Sequence, residues 1–195
     1  MLGAVLAALS TAAPPPRPRI AILLYNYAAV SDEIMASAKH EAALIYVRIG
    51  IDIEWVRYPM LPHGPDRFEV RLLPHFMADR LKPRRDEIGR ALIADEGAFG
   101  TVADIFSDRL LELTSTRKWA AGPLLGGLMA HELGHLLLGP GSHSKGGVMR
   151  TCWGENDLDR ALQRQMLFTS GEAKLIKKQV LARMLSGLAL RAAAK

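Results

Sequence analysis

Residues 130–149 read A-H-E-L-G-H-L-L-L-G-P-G-S-H-S-K-G-G-V-M, and the rest of the chain must fold around whatever this stretch becomes. His131 and His135 stand four residues apart, so on a helix they project from one side and can share a metal ion. Glu132 follows the first of them. Neutral imidazole suits zinc, and a carboxylate just outside the ligand set can accept a proton from water. The helix bounds are legible too: Pro123 fits a first turn, where a missing N–H costs nothing, and Gly139-Pro140 is a stop signal. Between these bounds the segment is apolar apart from the site, with Leu124, Leu128, His131 and His135 on one stripe. Gly126 and Gly127 remove bulk where a neighbour must approach closely. Such a helix is buried, and burying a glutamate and two histidines is costly unless a cation compensates them.

Two imidazoles hold zinc poorly, and catalytic sites take three protein ligands while leaving a fourth position to water. His143 lies just past the Gly139-Pro140-Gly141 bend, which lets the chain fold back toward His131 and His135. At this point the sequence resembles the metzincin clan of zinc endopeptidases, above all its matrixin-like pattern of H-E-x-G-H, a glycine bend, H-S and a tight methionine turn. The residues that carry the resemblance are His131, Glu132, Gly134, His135, Gly139, His143, Ser144 and Met149. It implies zinc held by His131, His135 and His143, with Glu132 as general base. Gly146-Gly147-Val148-Met149 would then be the Met-turn, an apolar floor beneath the metal that does not coordinate it.

The spacing departs from the clan pattern, which would put glycine at 138 and histidine at 141, where this chain has Leu138 and Gly141. The glycine comes one residue late and the histidine two, a difference that Pro140 and Gly141 absorb in a wider loop. A rival third ligand is Glu155, which lies twenty residues after His135 and four before Asp159, similar to the E-x-x-x-D helix of gluzincins. A non-catalytic zinc-stabilised peptide-binding domain is the alternative from another class. Glu132 argues against it, because a structural site gains nothing from a base beside an open coordination position.

Composition sets the wider bounds. At 195 residues, with about half of them apolar, the chain has enough material for one globular core, expected over residues 19–195. The net charge of +5 is modest and reads as a solvated basic face, including the exposed turn Lys82-Pro83-Arg84-Arg85-Asp86. There is no aromatic-interleaved basic motif of a nucleic-acid binder. Cys152 is the single cysteine, so no intrachain disulfide forms, and it is expected to be a half-buried structural thiol. Leu2–Leu9, followed by Ser10-Thr11-Ala12-Ala13, resembles an export signal over residues 1–13, which implies secretion. Were that signal not functional, the chain would stay in the cytoplasm. No later segment is long and uninterrupted enough to span a bilayer.

Outward from the site, Arg19–Tyr25 is an apolar branched run of strand length. Ser31 caps a helix with acids in its first turn, which runs to about Ile49 and stops at Gly50. Ile51–Arg57 alternates as a second strand, so these three elements form a βαβ unit with parallel strands. Phe68–Leu73 is a third strand; Arg90–Ala94 and Thr101–Phe106 are two more around a Gly97/Gly100 turn. His40, His63 and His75 are assigned no ligand role. Leu110–Trp119 leads into the metal helix. Helices are expected over Asp157–Phe168 and Glu172–Leu188, the last with a stripe of Leu175, Ile176, Val180, Leu181, Met184, Leu185 and Leu188 docked on the domain.

The expected fold class is therefore α/β (α+β): a small twisted mixed sheet, a crossover helix, a buried active-site helix and a helical C-terminal part. The order of elements is similar to a metzincin catalytic domain over about residues 19 to 170. The implied function is a zinc endopeptidase acting on a peptide or protein substrate. In the metzincins an exposed edge strand beside the cleft holds the substrate, and Thr101–Phe106 is its expected match here.

Overall fold

A computed structural model describes residues 17–57, 64–84, 87–93, 100–115 and 121–193. The fold is mixed α/β: five strands in one mixed sheet and six helices among the described residues. The signal-like segment 1–13, His63, Arg85, Gly97 and Trp119 lie outside them.

The βαβ unit is present. Strand β1 (Arg19–Asn26) leads into helix α1 (Asp32–Arg48) and then β2 (Asp52–Val56), which pairs parallel with β1. Ser31 caps α1 by accepting the Ile34 N–H, and the chain leaves the helix through Gly50 at φ +73°. β3 (Arg67–Leu73) pairs parallel with the other side of β1. Beyond it come β5 (Val102–Phe106), parallel to β3, and β4 (Gly89–Leu92), antiparallel to β5, giving the order β2-β1-β3-β5-β4.

That order corrects one expectation. The Thr101–Phe106 segment is not an edge: β5 is hydrogen-bonded to β3 on one side and β4 on the other, so no further strand can add to it. Its residues Ala103, Asp104, Ile105 and Phe106 are all buried, the mark of an interior strand covered on both faces. The edge on that side is β4, which begins at Gly89 rather than Arg90.

Helix α2 (His75–Ala78) and a 3₁₀ turn (Asp79–Leu81) follow β3; α3 (Ser107–Leu113) follows β5. His75 has partners that the sequence did not announce, standing 2.9 Å from Asp108 and 3.2 Å from Asp79. Helix α4 (Ala121–Leu138) packs on α1 and reaches β4 and β5. Ile20, Ile22, Phe68, Val70 and Ile105 of the sheet meet Ile45, Tyr46, Leu125, Met129 and Leu133 of the two helices in the main core.

Two C-terminal expectations also change. The helix expected over Asp157–Phe168 is α5 (Glu155–Leu162), closed by the Arg164 N–H on Ala161 O and by Arg164 in the left-handed region at φ +57°. The chain then runs extended, which buries Met166 and Phe168 and offers Leu167 O to the Val148 N–H at 3.1 Å. Helix α6 (Ser170–Ala193) starts with a reciprocal Thr169/Glu172 capping box. Only part of its expected stripe docks: Ile176 and Val180 are buried and Met184 partly so, whereas Leu175, Leu181, Leu185 and Leu188 face outward. The inward face also buries Arg183, whose guanidinium donates to the carbonyls of Pro65, Gly100 and Leu136. No helix among the described residues is long and apolar enough to cross a membrane.

Candidate metal centre

Helix α4 carries His131, Glu132 and His135, and its end is built as the sequence indicates. The Gly139 N–H closes on His135 O at 2.9 Å; Gly139 and Gly141 at φ +93° and +69° then reverse the chain, as residues without a Cβ do cheaply. The reversal returns His143 to the helix. Its Nε2 lies 3.1 Å from His135 Nε2, which is itself 3.0 Å from His131 Nε2. The ligand atoms of the three histidines all lie within 4.8 Å of one another. Glu155 is not in this group; it sits exposed at the first position of α5.

The protonation pattern bears on what fits there. His131 Nδ1 is 2.7 Å from Val148 O, and a carbonyl oxygen only accepts, so the proton is on Nδ1 and Nε2 presents a lone pair. His135 Nδ1 is held at 2.9 Å by the Ser142 hydroxyl. A proton on one Nε2 serves at most one of these close nitrogen pairs well, whereas a single cation among them serves all three. Burial depresses all three imidazoles, His135 to about 3, which keeps them in the neutral form that ligates metal. His131 and His135 are buried and His143 is exposed, so the group opens to solvent on one side.

The loop after His143 is tied to the helix from below. Ser144 N–H donates to Met149 O, Ser144 Oγ–H to Gly146 O at 2.7 Å, and Val148 N–H to Leu167 O. Gly147 at φ +74° makes the turn, and a Cβ there would meet Leu167 O at 2.3 Å. The loop brings Val148 O to His131 and buries Met149 under α4. Gly134 is the reason Met149 fits: a Cβ at that position would lie 2.4 Å from Met149 Sδ.

Glu132 is buried beneath β4. An atom added at Gly89 would stand 2.6 Å from Glu132 Oε1, so only glycine lets the edge strand pass this closely. Burial, with the charge of Glu87 second, pushes the Glu132 carboxyl up to about 8, and a hydrogen bond from the Ala91 N–H opposes the rise. The cleft thus has the imidazoles and Glu132 at its base and β4 along one wall.

Sharing this fold is a solved structure from Methanocorpusculum labreanum, at a TM-score of 0.50 and 15% identity over 80% of this chain and 99% of that one. That neighbour is a zinc-dependent peptidase. No protein-family model matches the sequence, and no curated protein matches it either.

Several residues of the site gave no sequence signal. Trp153 lies edge-on to His131 at 6.4 Å, with its ring packed where Gly127 would carry a Cβ. The glycine pair hinted at close neighbours, and Gly126 does pack on Ala38 O of α1 at a would-be 2.5 Å. Which residue would fill the Gly127 notch was not readable. Ser142, the partner of His135, also went unread. Cys152, expected half-buried, is exposed at the cleft rim. His40 is exposed on α1, away from the group.

Proposed function

We propose that this chain is a zinc-dependent endopeptidase of metzincin type, with His131, His135 and His143 as zinc ligands and Glu132 as general base. The observation that carries this reading is the convergence of three Nε2 atoms beside a buried carboxylate that lies under an exposed sheet edge. A bound zinc ion supplies Lewis acidity, which polarises a carbonyl and lowers the pKa of water. His131 and His135 are oriented for this by Val148 O and Ser142 Oγ, which fix where their Nε2 atoms point.

Glu132 accepts the proton of the attacking water and hands it to the departing amine. Its carboxyl, high when only burial and Glu87 act on it, falls back toward the ionised form beside a dication, which is the form a base needs. The substrate is held extended along β4, the edge strand on the cleft side of the sheet among the described residues. Gly146–Met149 acts as the Met-turn: it anchors His131 through Val148 O and packs Met149 beneath Gly134.

Zinc content and cleavage of a peptide library, measured together, test the proposal. Glu132→Gln should keep its zinc and fold while losing roughly 10²–10⁴-fold in turnover, the typical contribution of a positioned acid–base group. Parent-level turnover in that variant at equal zinc content would refute the mechanism.

A further inference from the structure

Arg84, from the basic turn that the sequence presented as a solvated face, lines the cleft. Among the described residues, three arginines line the cleft: Arg84, Arg90 and Arg150. Two of them are already neutralised. The Arg90 guanidinium donates to both carboxylate oxygens of Glu87, at 2.5 and 2.9 Å, and Arg150 lies 3.0 Å from Asp157. The third, Arg84, has its backbone fixed but its guanidinium in no ion pair, although Glu87 feels its charge. Its N–H donates to Glu87 Oε2 at 2.8 Å, and its carbonyl accepts from the Glu87 N–H and from the Arg109 guanidinium. Among the described residues, no carboxylate pairs with the Arg84 guanidinium, which is exposed in the cleft that contains His143. Besides Glu87, the one acid of the described residues that lines the cleft is Glu132, buried under β4.

We infer that Arg84 is a specificity-determining residue that selects peptides with an acidic side chain near the scissile bond. The inference rests on the peptidase reading above. A guanidinium with a fixed backbone and no hydrogen-bonded carboxylate loses little on receiving one, and its fork can take both oxygens. Paired Arg90 and Arg150 would have to give up a carboxylate to do the same. A metal dication would deepen the positive potential and draw the same substrates. Because the site is open, the effect is that of a partly exposed ion pair: roughly three- to fivefold in kcat/KM for the acidic over the amide side chain. It shrinks as salt rises.

The test uses the zinc-loaded full chain and a peptide set with Glu, Gln or Lys placed in turn at each of the three positions on either side of the cleaved bond. The parent should prefer Glu at one position. Arg84→Ala should abolish that preference and Arg84→Glu should invert it toward Lys, at equal zinc content. Lys82→Gln, on the same turn but not lining the cleft, should leave it intact. An identical profile in parent, Arg84→Ala and Arg84→Glu overturns the inference, as does loss of the preference in Lys82→Gln to the same degree. Cleavage with no charge preference overturns only this inference, whereas absence of cleavage in every peptide overturns the peptidase reading and takes this inference with it.

Discussion

Helices α4 and α6 are both rich in leucine and alanine, yet they are used in opposite ways. In α4, 16 of 18 residues are buried, including His131, Glu132 and His135. In α6, Ile176, Val180, Arg183 and Gly187 are buried, while Leu181 and Leu185 are 48% and 68% exposed. The difference lies in the neighbours: α4 is packed against α1, α5, α6 and the β4–β5 end of the sheet, whereas α6 leans on the domain with one face. Two of the three candidate metal ligands thus stand on the helix that cannot move without disturbing the core. Rigidity there fixes His131 and His135, and their burial keeps both imidazoles neutral, while His143 joins them from the loop that follows.

The largest effect is expected at a glycine of α4. Gly126→Val puts side-chain atoms where even a Cβ would stand 2.5 Å from Ala38 O, a backbone atom that cannot yield cheaply. Urea denaturation should show a loss of roughly 3 kcal/mol, the upper part of the overpacking range. A loss below about 0.5 kcal/mol would mean that α1 and α4 are not in register.

Next in size is a pH effect on the metal-free chain. Glu132, at about 8 against an ordinary 4.5, binds more protons folded than unfolded between those values; its contribution is full below 4.5 and is lost as pH rises through 8. His135, at about 3 against 6.5, acts in reverse: its contribution is present above 6.5 and is lost as pH falls toward 3. Metal-free protein should therefore lose stability from pH 6.5 to 8, by about 2 kcal/mol through Glu132. Glu132→Gln should remove that loss. An unchanged alkaline decline in the variant would show that another group is responsible.

The smallest effect belongs to the outer face of α6. Leu181→Ser, Leu185→Ser and Leu188→Ser should each change stability by less than about 0.5 kcal/mol, as surface substitutions do. A larger loss in thermal melts would mean that the outer face is covered in solution.

The parts of the fold that follow from local pattern were readable: the Ser31 cap, the Gly50 stop, the β1–α1–β2 unit and the bounds of the metal helix at Gly139. So was the triplet of His131, His135 and His143, because helix period and a glycine bend are short-range properties. Strand order was not, since β4 adds to β5 from outside through long-range pairing, and nothing in the alternation of residues 101–106 marks which side stays open. The end of α5 at Leu162 was missed because no Gly or Pro stands there and the stop comes from the burial of Met166 and Phe168. The C-terminal stripe was overcounted because leucines on both faces of α6 satisfy a helical period, while the inward Arg183 interrupts the docked face. Trp153 and Arg84 reach the cleft from separate loops, and sequence distance hides that meeting.

In the proposed site His143, and not Glu155, completes the ligand set with His131 and His135. Chelator-competition zinc titration of the metal-free full chain measures this directly on the parent, His143→Ala and Glu155→Ala. One zinc per chain is expected, with a loss of affinity of at least roughly 100-fold in His143→Ala and a change under about twofold in Glu155→Ala. Parent-like affinity in His143→Ala, or a larger loss in Glu155→Ala than in His143→Ala, would contradict this ligand set.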